Sequence, residues 1–297
     1  MQEDIKNLKG LEIFLGYNCN LNCKFCFQKN LRIKNNKNLS YDEVIEIIDS
    51  GYKKGKKNIF FSGGDPLLDL NLQKYIIYSK EIGYNNIRIH TNGIILSSLS
   101  IFEKYIKAGA NGFIISIHGY GPIHDLLVNS TGSFEKVKKA LLNFVELKKK
   151  YPYIIIDTNT VLTRYNYTNL YVLFKFLSLF PITRSQLVQL YSLNLFSAEE
   201  KKNLYVTYKD FNIYLDKILD LKNINITLEN FPFCEVSKKS FEHIIRTQKY
   251  NNDAYGYIGV DLDDTYGEYI KKCENCEYKN ICNGFPVDYL QIFSENM

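Results

Sequence analysis

Residues 16–28 read Gly-Tyr-Asn-Cys-Asn-Leu-Asn-Cys-Lys-Phe-Cys-Phe-Gln, and the cysteines of this stretch decide the interpretation of the chain. Cys19, Cys23 and Cys26 have the spacing Cys-x3-Cys-x2-Cys. Soft thiolates this close together favour an iron–sulfur cluster or zinc. Zinc and ordinary clusters take four protein ligands, whereas three cysteines leave one iron of a cubane open to an outside ligand. Zinc with a distant fourth ligand, or three unrelated thiols, is the alternative.

A second motif follows the next predicted strand. The apolar run Leu11–Leu15 predicts a strand before the cysteines, and Asn58–Phe61 predicts another, which ends in Ser-Gly-Gly-Asp-Pro at residues 62–66. Paired glycines allow a ligand to approach the backbone, and the Asp65 carboxylate can accept a hydrogen bond from an ammonium group. Taken alone, the same residues would equally form an ordinary turn.

The two motifs, in this order and on successive strands, resemble those of the radical S-adenosylmethionine (radical SAM) superfamily. The resemblance implies that the three cysteines hold a [4Fe–4S] cluster whose free iron binds the amino and carboxylate groups of S-adenosylmethionine (SAM). It also implies that the Gly-Gly-Asp-Pro segment contacts the methionine amino group, with Asp65 in place of the usual Glu. The residues of this segment are Gly63, Gly64, Asp65 and Pro66.

The resemblance implies two further SAM contacts, at Phe25 and Ser116, and the strand pattern predicts a third at Asn159. Phe25, between the last two cysteines, lies near the adenine or shields the cluster. Ser116, on the fourth predicted strand, faces the ribose. Asn159 is a polar residue in an apolar strand and is expected to reach the cofactor at the barrel mouth. His118 shares a face with Ser116 and either contacts substrate or hydrogen-bonds to backbone.

Alternating strands and helices predict a parallel α/β sheet with right-handed crossovers. We expect a partial (β/α)6 TIM-like barrel over residues 1–196, with ligands at the carboxyl ends of the strands. A polar helical bridge follows at residues 197–222, and residues 223–297 form a small carboxyl-terminal cysteine-rich auxiliary domain. The predicted strands are 11–15, 58–61, 87–91, 113–118, 154–162 and 186–191, and the predicted helices are 40–54, 69–82, 98–108, 133–150 and 167–179.

The remaining four cysteines are Cys234, Cys273, Cys276 and Cys282. Their spacing resembles the auxiliary-cluster region of the SPASM and twitch classes of radical SAM enzymes. Pro286 stands where that pattern continues with a cysteine, so one auxiliary [4Fe–4S] cluster is the most that this region can hold. Zinc could also occupy four thiolates. In a third alternative, Cys234 is a free thiol that donates a hydrogen atom to a substrate radical, as in some peptide epimerases of the family.

Composition narrows the class of protein. The net charge of +5 is spread along predicted helices, and a nucleic-acid face would need a denser basic patch. Residues 1–9 are charged and lack the apolar core of a signal peptide, and no apolar run approaches the ~18 residues of a membrane span. We therefore expect a cytoplasmic protein without nucleic-acid or membrane partners, whose cysteines bind metal instead of forming disulfides.

The reaction implied by the resemblance begins with a low-potential electron from a donor such as ferredoxin or flavodoxin. SAM is cleaved to methionine and a 5′-deoxyadenosyl radical, which abstracts a hydrogen atom from the substrate in the barrel. The auxiliary cluster then accepts an electron, giving oxidation or cross-linking, or binds substrate directly. A non-enzymatic electron carrier is the contrasting hypothesis, and any reductive cleavage of SAM would exclude it.

We expect a peptide or protein side chain as substrate. The stretch from Ser116 through His124-Asp125 to Phe134 resembles peptide-modifying members, and His124 with Asp125 forms an acid/base pair or orders a loop. The predicted barrel begins at about Leu11, without the peptide-recognition domain of many peptide maturases, so a separate recognition protein or another substrate is expected. Small-molecule oxidation or rearrangement is the alternative. The first molybdenum-cofactor step is disfavoured because the chain ends Ser-Glu-Asn-Met297 instead of in glycines.

Overall fold

The computed structural model describes residues 10–34, 38–191, 196–245, 253–255 and 267–293. Two expectations concern segments outside these ranges. They are the charged amino-terminal residues 1–9 and the last four residues, 294–297, on which the argument against the molybdenum-cofactor step rests.

The described chain is organised around one parallel sheet. The strands are β1 (Gly10–Phe14), β2 (Asn58–Ser62), β3 (Asn86–Thr91), β4 (Gly112–Ser116), β5 (Ile155–Leu162), β6 (Arg184–Gln189), β7 (Ile226–Glu229) and β8 (Asp253–Tyr255). They form an eight-stranded sheet in the order β7-β6-β5-β4-β3-β2-β1-β8. Every neighbouring pair is parallel, so all carboxyl ends lie along one edge. The predicted partial TIM-like barrel is confirmed.

Helices connect the strands and cover one face of the sheet. They are α1 (Lys29–Lys34), α2 (Tyr41–Lys53), α3 (Leu72–Ile82), α4 (Leu99–Ala108), α5 (Pro122–Val128), α6 (Ser133–Lys150), α7 (Leu170–Leu177), α8 (Ala198–Leu204), α9 (Tyr208–Leu219) and α10 (Val287–Phe293). Helix α2 begins with a capping box, because Ser40 and Glu43 each bond the other's backbone N–H. Within the ranges given above, no helix is long and apolar enough to cross a bilayer.

The two faces of the sheet differ in chemistry because strand side chains alternate. Leu11 and Ile115 belong to the outward, fully buried set, and they approach α2 and α6 respectively. The inward face is polar. Near its amino-terminal end, Asp157 accepts bonds from Arg88 (3.1 Å) and Arg184 (3.0 Å). These three charges can be buried because both arginines bond to the same Asp157 carboxylate.

The sheet extends beyond the predicted six strands. A seventh strand, β7, pairs with β6, so the sheet continues past residue 223, where we expected the auxiliary domain to begin. A short strand, β8, pairs with β1 at the other edge and was not predicted. Both strands are short, and β7 is also joined to the following segment by a bond from Ile245 N to Leu228 O at 2.8 Å. The division into domains stays a prediction.

A buried ion pair attaches the carboxyl-terminal helix α10 to α8. Lys201 of α8 pairs with Asp288 of α10, and their side chains are 7% and 4% exposed. The hydroxyl of Tyr205 donates to the other oxygen of Asp288 at 3.1 Å. A buried charge depends on its partner, because desolvation leaves it costly when alone. This pair therefore connects the helical segment after β6 to the region of the last cysteines.

We predict that Asp288→Asn lowers the free energy of unfolding by roughly 3 kcal/mol, because it leaves the Lys201 ammonium buried without its charge partner. The double variant Lys201→Met, Asp288→Leu should recover most of this loss. Glu135→Gln, which breaks the exposed Lys138–Glu135 pair, is the control and should change stability by less than about 0.5 kcal/mol. Anaerobic urea unfolding measures all three, and equal losses for Asp288→Asn and the control would contradict the assignment.

Candidate active site

The three cysteines of the first motif lie in the loop after β1, as partly buried free thiols. Burial raises the pKa of Cys23, and negative charge on Cys26 and Cys19 raises it further. Burial also raises the pKa of Cys26, whereas the Arg32 guanidinium lowers it. The three thiols are thus near enough to influence one another. A cationic cluster deprotonates the sulfur atoms that it binds, so these thiols would bind it as thiolates.

Two nitrogen donors point at these sulfur atoms. Arg32 Nη2 lies 3.9 Å from Cys26 Sγ, and Asn92 Nδ2 lies 3.8 Å from Cys19 Sγ. Hydrogen bonds to sulfur stabilise thiolates and tune iron–sulfur clusters. In the described ranges, no group of three His, Cys, Asp or Glu side chains is already arranged around one metal position.

The backbone of the cysteine loop packs directly on the two glycines after β2. The N–H of Gly64 donates to Gly16 O at 2.8 Å, and that of Asp65 donates to Asn18 O at 2.6 Å. A Cβ atom on Gly64 would lie 2.1 Å from Asn18 O, and one on Gly63 would lie 2.7 Å from Gly16 O. We expected these glycines to admit a ligand. The structure shows that they admit the neighbouring loop and thereby position Cys19.

We predict that Gly64→Ala reduces the iron bound after anaerobic reconstitution by about four atoms per chain, the content of one cubane. The added methyl group displaces the backbone at Asn18 and with it the first ligand. Gly55→Asn is the control, because Gly55 has open space around it and a φ of 80°, which Asn tolerates. An unchanged iron content in Gly64→Ala would show that the close packing does not matter.

Asp65 is buried and connects the second motif to β3. Its carboxylate caps the short turn Pro66–Leu68 by accepting from Leu67 N at 3.0 Å. It also accepts from Thr91 Oγ1 at 2.9 Å and from Asn92 N at 3.1 Å. Burial raises the pKa of Asp65, and these three bonds lower it. Each carboxylate oxygen has more than one acceptor position, so the predicted contact with the SAM amino group stays a prediction.

Ser116 and Asn159 are neighbours at the carboxyl ends of β4 and β5, as expected from their strands. They are register partners in the parallel pair and share the inward face. Ser116 Oγ lies 3.4 Å from His90 Nε2. Asn159 Oδ1 is buried and has no partner among the described residues. A buried acceptor without a donor is costly, and a hydroxyl of a bound nucleoside would satisfy it. Ser116 and Asn159 thus present groups that suit the nucleoside of SAM, and the contact of each residue with SAM stays a prediction.

The histidine network behind the cysteine loop is ordered by backbone groups. Phe25 is buried and packs edge-on against His118, with ring centroids 4.5 Å apart. Val161 N donates to His118 Nδ1 at 3.2 Å, and His118 N donates to His124 Nδ1 at 3.1 Å. Burial lowers the pKa of His118 and lowers that of His124 to about 4. Asp125 accepts two backbone N–H bonds at the start of α6, so it orders that loop.

The sequence interpretation missed a polar cluster on the inward face. Ser62 Oγ donates to Glu12 Oε1 at 2.8 Å, and Gln186 donates to Glu229. Burial raises the pKa of the Tyr191 phenol, and the charges of Glu229 and Glu12 raise it further. Glu12 and Glu229 lie on strands six places apart in the sheet, so the sheet curls until both act on one phenol. The sequence contained one sign of this cluster, because Glu12 interrupts the apolar run of the first predicted strand.

The second set of cysteines lies in short turns that follow β7 in the chain. Cys234 is in the turn after β7. Cys273 is the last residue of another short turn. The N–H of Cys276 donates to Cys273 O at 3.3 Å. Gly284 N lies 3.4 Å from Cys282 Sγ, a third example of an N–H group directed at sulfur. Donors of this kind favour a thiolate ligand.

Cys234 lies among charges that include two of the other thiols. Partial burial raises the pKa of Cys234 to about 11, Lys272 lowers it, and Glu235, Cys282 and Cys273 raise it. Lys272 Nζ pairs with Glu235 Oε1 at 2.7 Å beside them. The structure therefore brings Cys234, Cys273 and Cys282 into one neighbourhood.

We predict about eight irons per reconstituted chain for wild type and about four for Cys234→Ala, because loss of one of four ligands opens the auxiliary cluster. Cys273→Ala, which removes a buried thiol of the same set, is the comparison and should give the same loss. Wild-type iron in Cys234→Ala would identify Cys234 as a free thiol and favour hydrogen-atom donation. About four irons with bound zinc in wild type would make the second site a zinc site.

A partial parallel barrel with a loop of three thiols at its carboxyl edge is the architecture of a class of barrel proteins that bind a metal centre through cysteine thiolates. Residues 13–177 match the Radical SAM superfamily, and this match spans more than half of the 297 residues. The chain belongs to the Radical SAM superfamily. Its cofactors are accordingly a [4Fe–4S] cluster and SAM, as predicted, and the carboxyl-terminal cysteines are consistent with an auxiliary cluster.

Similar curated proteins are named as probable GTP 3′,8-cyclases. One from Methanococcus aeolicus is 26% identical over 290 residues, covering 96% of this chain and 83% of that protein. One from Methanococcus maripaludis is 28% identical over 142 residues, covering 48% of this chain and 47% of that protein. The chain thus spans about half the length of the M. maripaludis relative that it matches.

Solved structures with a similar fold include one with bound AdoMet and one with a bound precursor peptide. The structure of anSMEcpe with bound AdoMet has a TM-score of 0.60 and 15% identity, covering 96% of this chain and 95% of that chain. Streptococcus suis SuiB bound to the precursor peptide SuiA has a TM-score of 0.57 and 16% identity, covering 74% and 48%. At these identities the likeness shows the fold alone.

Proposed function

We propose that this protein reductively cleaves SAM and uses the 5′-deoxyadenosyl radical to abstract a hydrogen atom from a peptide or protein side chain, which it thereby oxidises or cross-links. One observation carries the proposal. The loop with Cys19, Cys23 and Cys26 is braced by backbone bonds on the Gly-Gly-Asp turn, at the carboxyl edge of the barrel. A cluster in that loop and a substrate inside the barrel would share one chamber.

The chain's residues divide the work of binding. The three cysteines supply thiolates, and Arg32 and Asn92 direct N–H groups at two of them. When bound, the cluster and SAM supply the radical chemistry. Ser116 and Asn159 offer a hydroxyl and an unpartnered amide oxygen on the inward face for the nucleoside. The barrel then orients the substrate and limits access of water.

A peptide substrate is supported by the form of the barrel. Its inward face carries polar side chains, and Cys234 of the second set lies in the turn after β7. The SuiB structure with this fold contains a precursor peptide, and an anSMEcpe structure contains the Cp18Cys peptide. An electron donor such as ferredoxin or flavodoxin, and a separate peptide-recognition protein, complete the proposal.

A small-molecule radical reaction is the second candidate. It is favoured by the similarity to probable GTP 3′,8-cyclases, one of which aligns with 96% of this chain. Cyclisation of GTP is therefore tested directly beside the peptide reaction. The two candidates share the same SAM cleavage and differ in the group that the inward face must bind.

The reconstituted, dithionite-reduced protein is incubated with SAM, and 5′-deoxyadenosine and methionine are quantified by mass spectrometry. We predict more than one equivalent of 5′-deoxyadenosine per chain for wild type, and loss of at least about 100-fold for Cys23→Ala, because the cluster loses a ligand. Leu126→Ala, an exposed side chain of α5, is the control and should retain the wild-type rate.

Substrates are then compared in the same assay. Peptides encoded beside the gene should increase 5′-deoxyadenosine formation and change in mass by the loss of two hydrogens on oxidation or cross-linking. GTP supports the second candidate if it is consumed in step with SAM. Absence of 5′-deoxyadenosine under all of these conditions, with the cluster present, would exclude radical SAM chemistry.

A further inference from the structure

We propose that Arg32 and Asn92 make the cluster of the first cysteine motif easier to reduce, because they direct N–H groups at two of its sulfur ligands and stabilise the charge that an added electron brings. Both are positioning residues, since they act through the sulfur atoms of other side chains. This inference rests on the proposed function, because it concerns the electron that the cluster must accept before SAM is cleaved.

The Arg32 side chain reaches back from α1 across the cysteine loop. Its Nη1 donates to Leu21 O at 3.1 Å, and its Nη2 lies 3.9 Å from Cys26 Sγ. Leu21 stands between the first two cysteines of the motif, and Cys26 is the third. The planar guanidinium presents its donors in a fixed fork. One side chain therefore joins the two parts of the loop that supply the ligands.

The charge of Arg32 is close to the sulfur atom and partly removed from water. Its Nε is buried and has no hydrogen-bond partner among the described residues. The printed sequence contains no Asp or Glu between Glu12 and Asp42. In the described part of the chain, the bonds of the guanidinium go to a carbonyl and a sulfur atom. A partly desolvated charge acts more strongly on its neighbours than one that water surrounds.

Asn92 supplies a neutral donor on the other side of the loop. Its Oδ1 accepts from Ile94 N at 3.0 Å, and its own backbone N–H donates to Asp65 Oδ2 at 3.1 Å. A backbone N–H requires an acceptor, so the amide oxygen faces Ile94 and the amide nitrogen faces the cysteine loop. Nδ2 then donates to Asn20 Oδ1 at 2.7 Å and lies 3.8 Å from Cys19 Sγ.

Reduction changes the charge of the cluster and none of its bonds. A [4Fe–4S] cluster that accepts one electron from the donor becomes more negative by one charge, which is shared with its thiolate ligands. Nearby positive charge and hydrogen bonds to sulfur are among the factors that set the reduction potential of such a cluster. Arg32 supplies the first factor and Asn92 the second. Both therefore favour the reduced form.

The test measures the ratio of reduced to oxidised cluster in the reconstituted holoenzyme without substrate. Samples are poised at a series of potentials with dithionite and redox mediators, and the reduced cluster is followed by electron paramagnetic resonance. The signal that changes when SAM is added to a parallel sample belongs to the cluster of the first motif, which separates it from an auxiliary cluster. Variants are compared at the potential where wild type is half reduced.

Arg32→Gln removes the charge and should lower the ratio at least about threefold, whereas Arg32→Lys keeps the charge and should stay within about twofold of wild type. Asn92→Asp keeps an oxygen for Ile94 N but replaces the nitrogen donor with a carboxylate oxygen, so it should also lower the ratio at least about threefold. Arg164→Gln is the matched control. Arg164 also donates to a backbone carbonyl, at 3.2 Å to Tyr205 O, and should keep the wild-type ratio.

A wild-type ratio in Arg32→Gln overturns the inference, and so does an equal fall in Arg32→Lys or in the Arg164→Gln control. Iron is measured on every variant. If Arg32→Gln does not retain the cluster, Asn92→Asp decides, and a wild-type ratio there overturns the inference. Loss of the cluster from both variants also overturns it, because the two residues would then be needed for binding of the cluster and not for its potential.

These failures differ from failure of the proposed function, which is decided by 5′-deoxyadenosine formation in the reduced wild-type enzyme. A protein that forms 5′-deoxyadenosine but shows the same ratio in every variant keeps the proposed function and loses this inference. A protein whose ratio follows the charge at residue 32 but which never cleaves SAM keeps the inference about the cluster and loses the proposed function.

Discussion

The candidate site depends on one backbone contact, the packing of the cysteine loop after β1 on the glycine pair after β2. Two hydrogen bonds of 2.8 and 2.6 Å join these segments, and the positions a Cβ would occupy on Gly63 and Gly64 are filled by backbone atoms of residues 16 and 18. The contact continues into β3, because Asp65 binds Thr91 and Asn92. Three strand ends are thereby held in one arrangement around the thiols.

The parallel sheet makes this arrangement possible by separating its two faces. Outward side chains such as Ile59 and Phe61 are fully buried and carry the hydrophobic stabilisation. The inward face does not have to form the hydrophobic core. It can therefore hold the polar and charged side chains that binding and catalysis require. Its charges are tolerated because they are paired or hydrogen-bonded, as in the group formed by Arg88, Asp157 and Arg184 near the amino-terminal ends of their strands.

Local patterns predicted most of the fold and the cysteine loop, whereas contacts between distant segments could not be predicted. The capping box at Ser40 and the helix at 133–150 follow from neighbouring residues, and both are present. The Tyr191 environment depends on two carboxylates far away in sequence, so no local pattern contains it. β8 is three residues long and exists through its partner β1. The glycine pair was recognised in the sequence, but the cysteine loop that packs on it could be identified only from the structure.

Asp65, where the family usually has Glu, shows how local and long-range demands combine. It is the N-cap of the turn Pro66–Leu68, with Pro at the first position of that turn. Asp is among the strongest N-cap residues because its short side chain reaches the backbone N–H two residues on, and Pro suits the first position. A Glu side chain has one more methylene and would not cap in the same way. The same carboxylate also receives Thr91 from β3. The departure from Glu therefore stabilises the turn, and the same short carboxylate joins the turn to the end of β3.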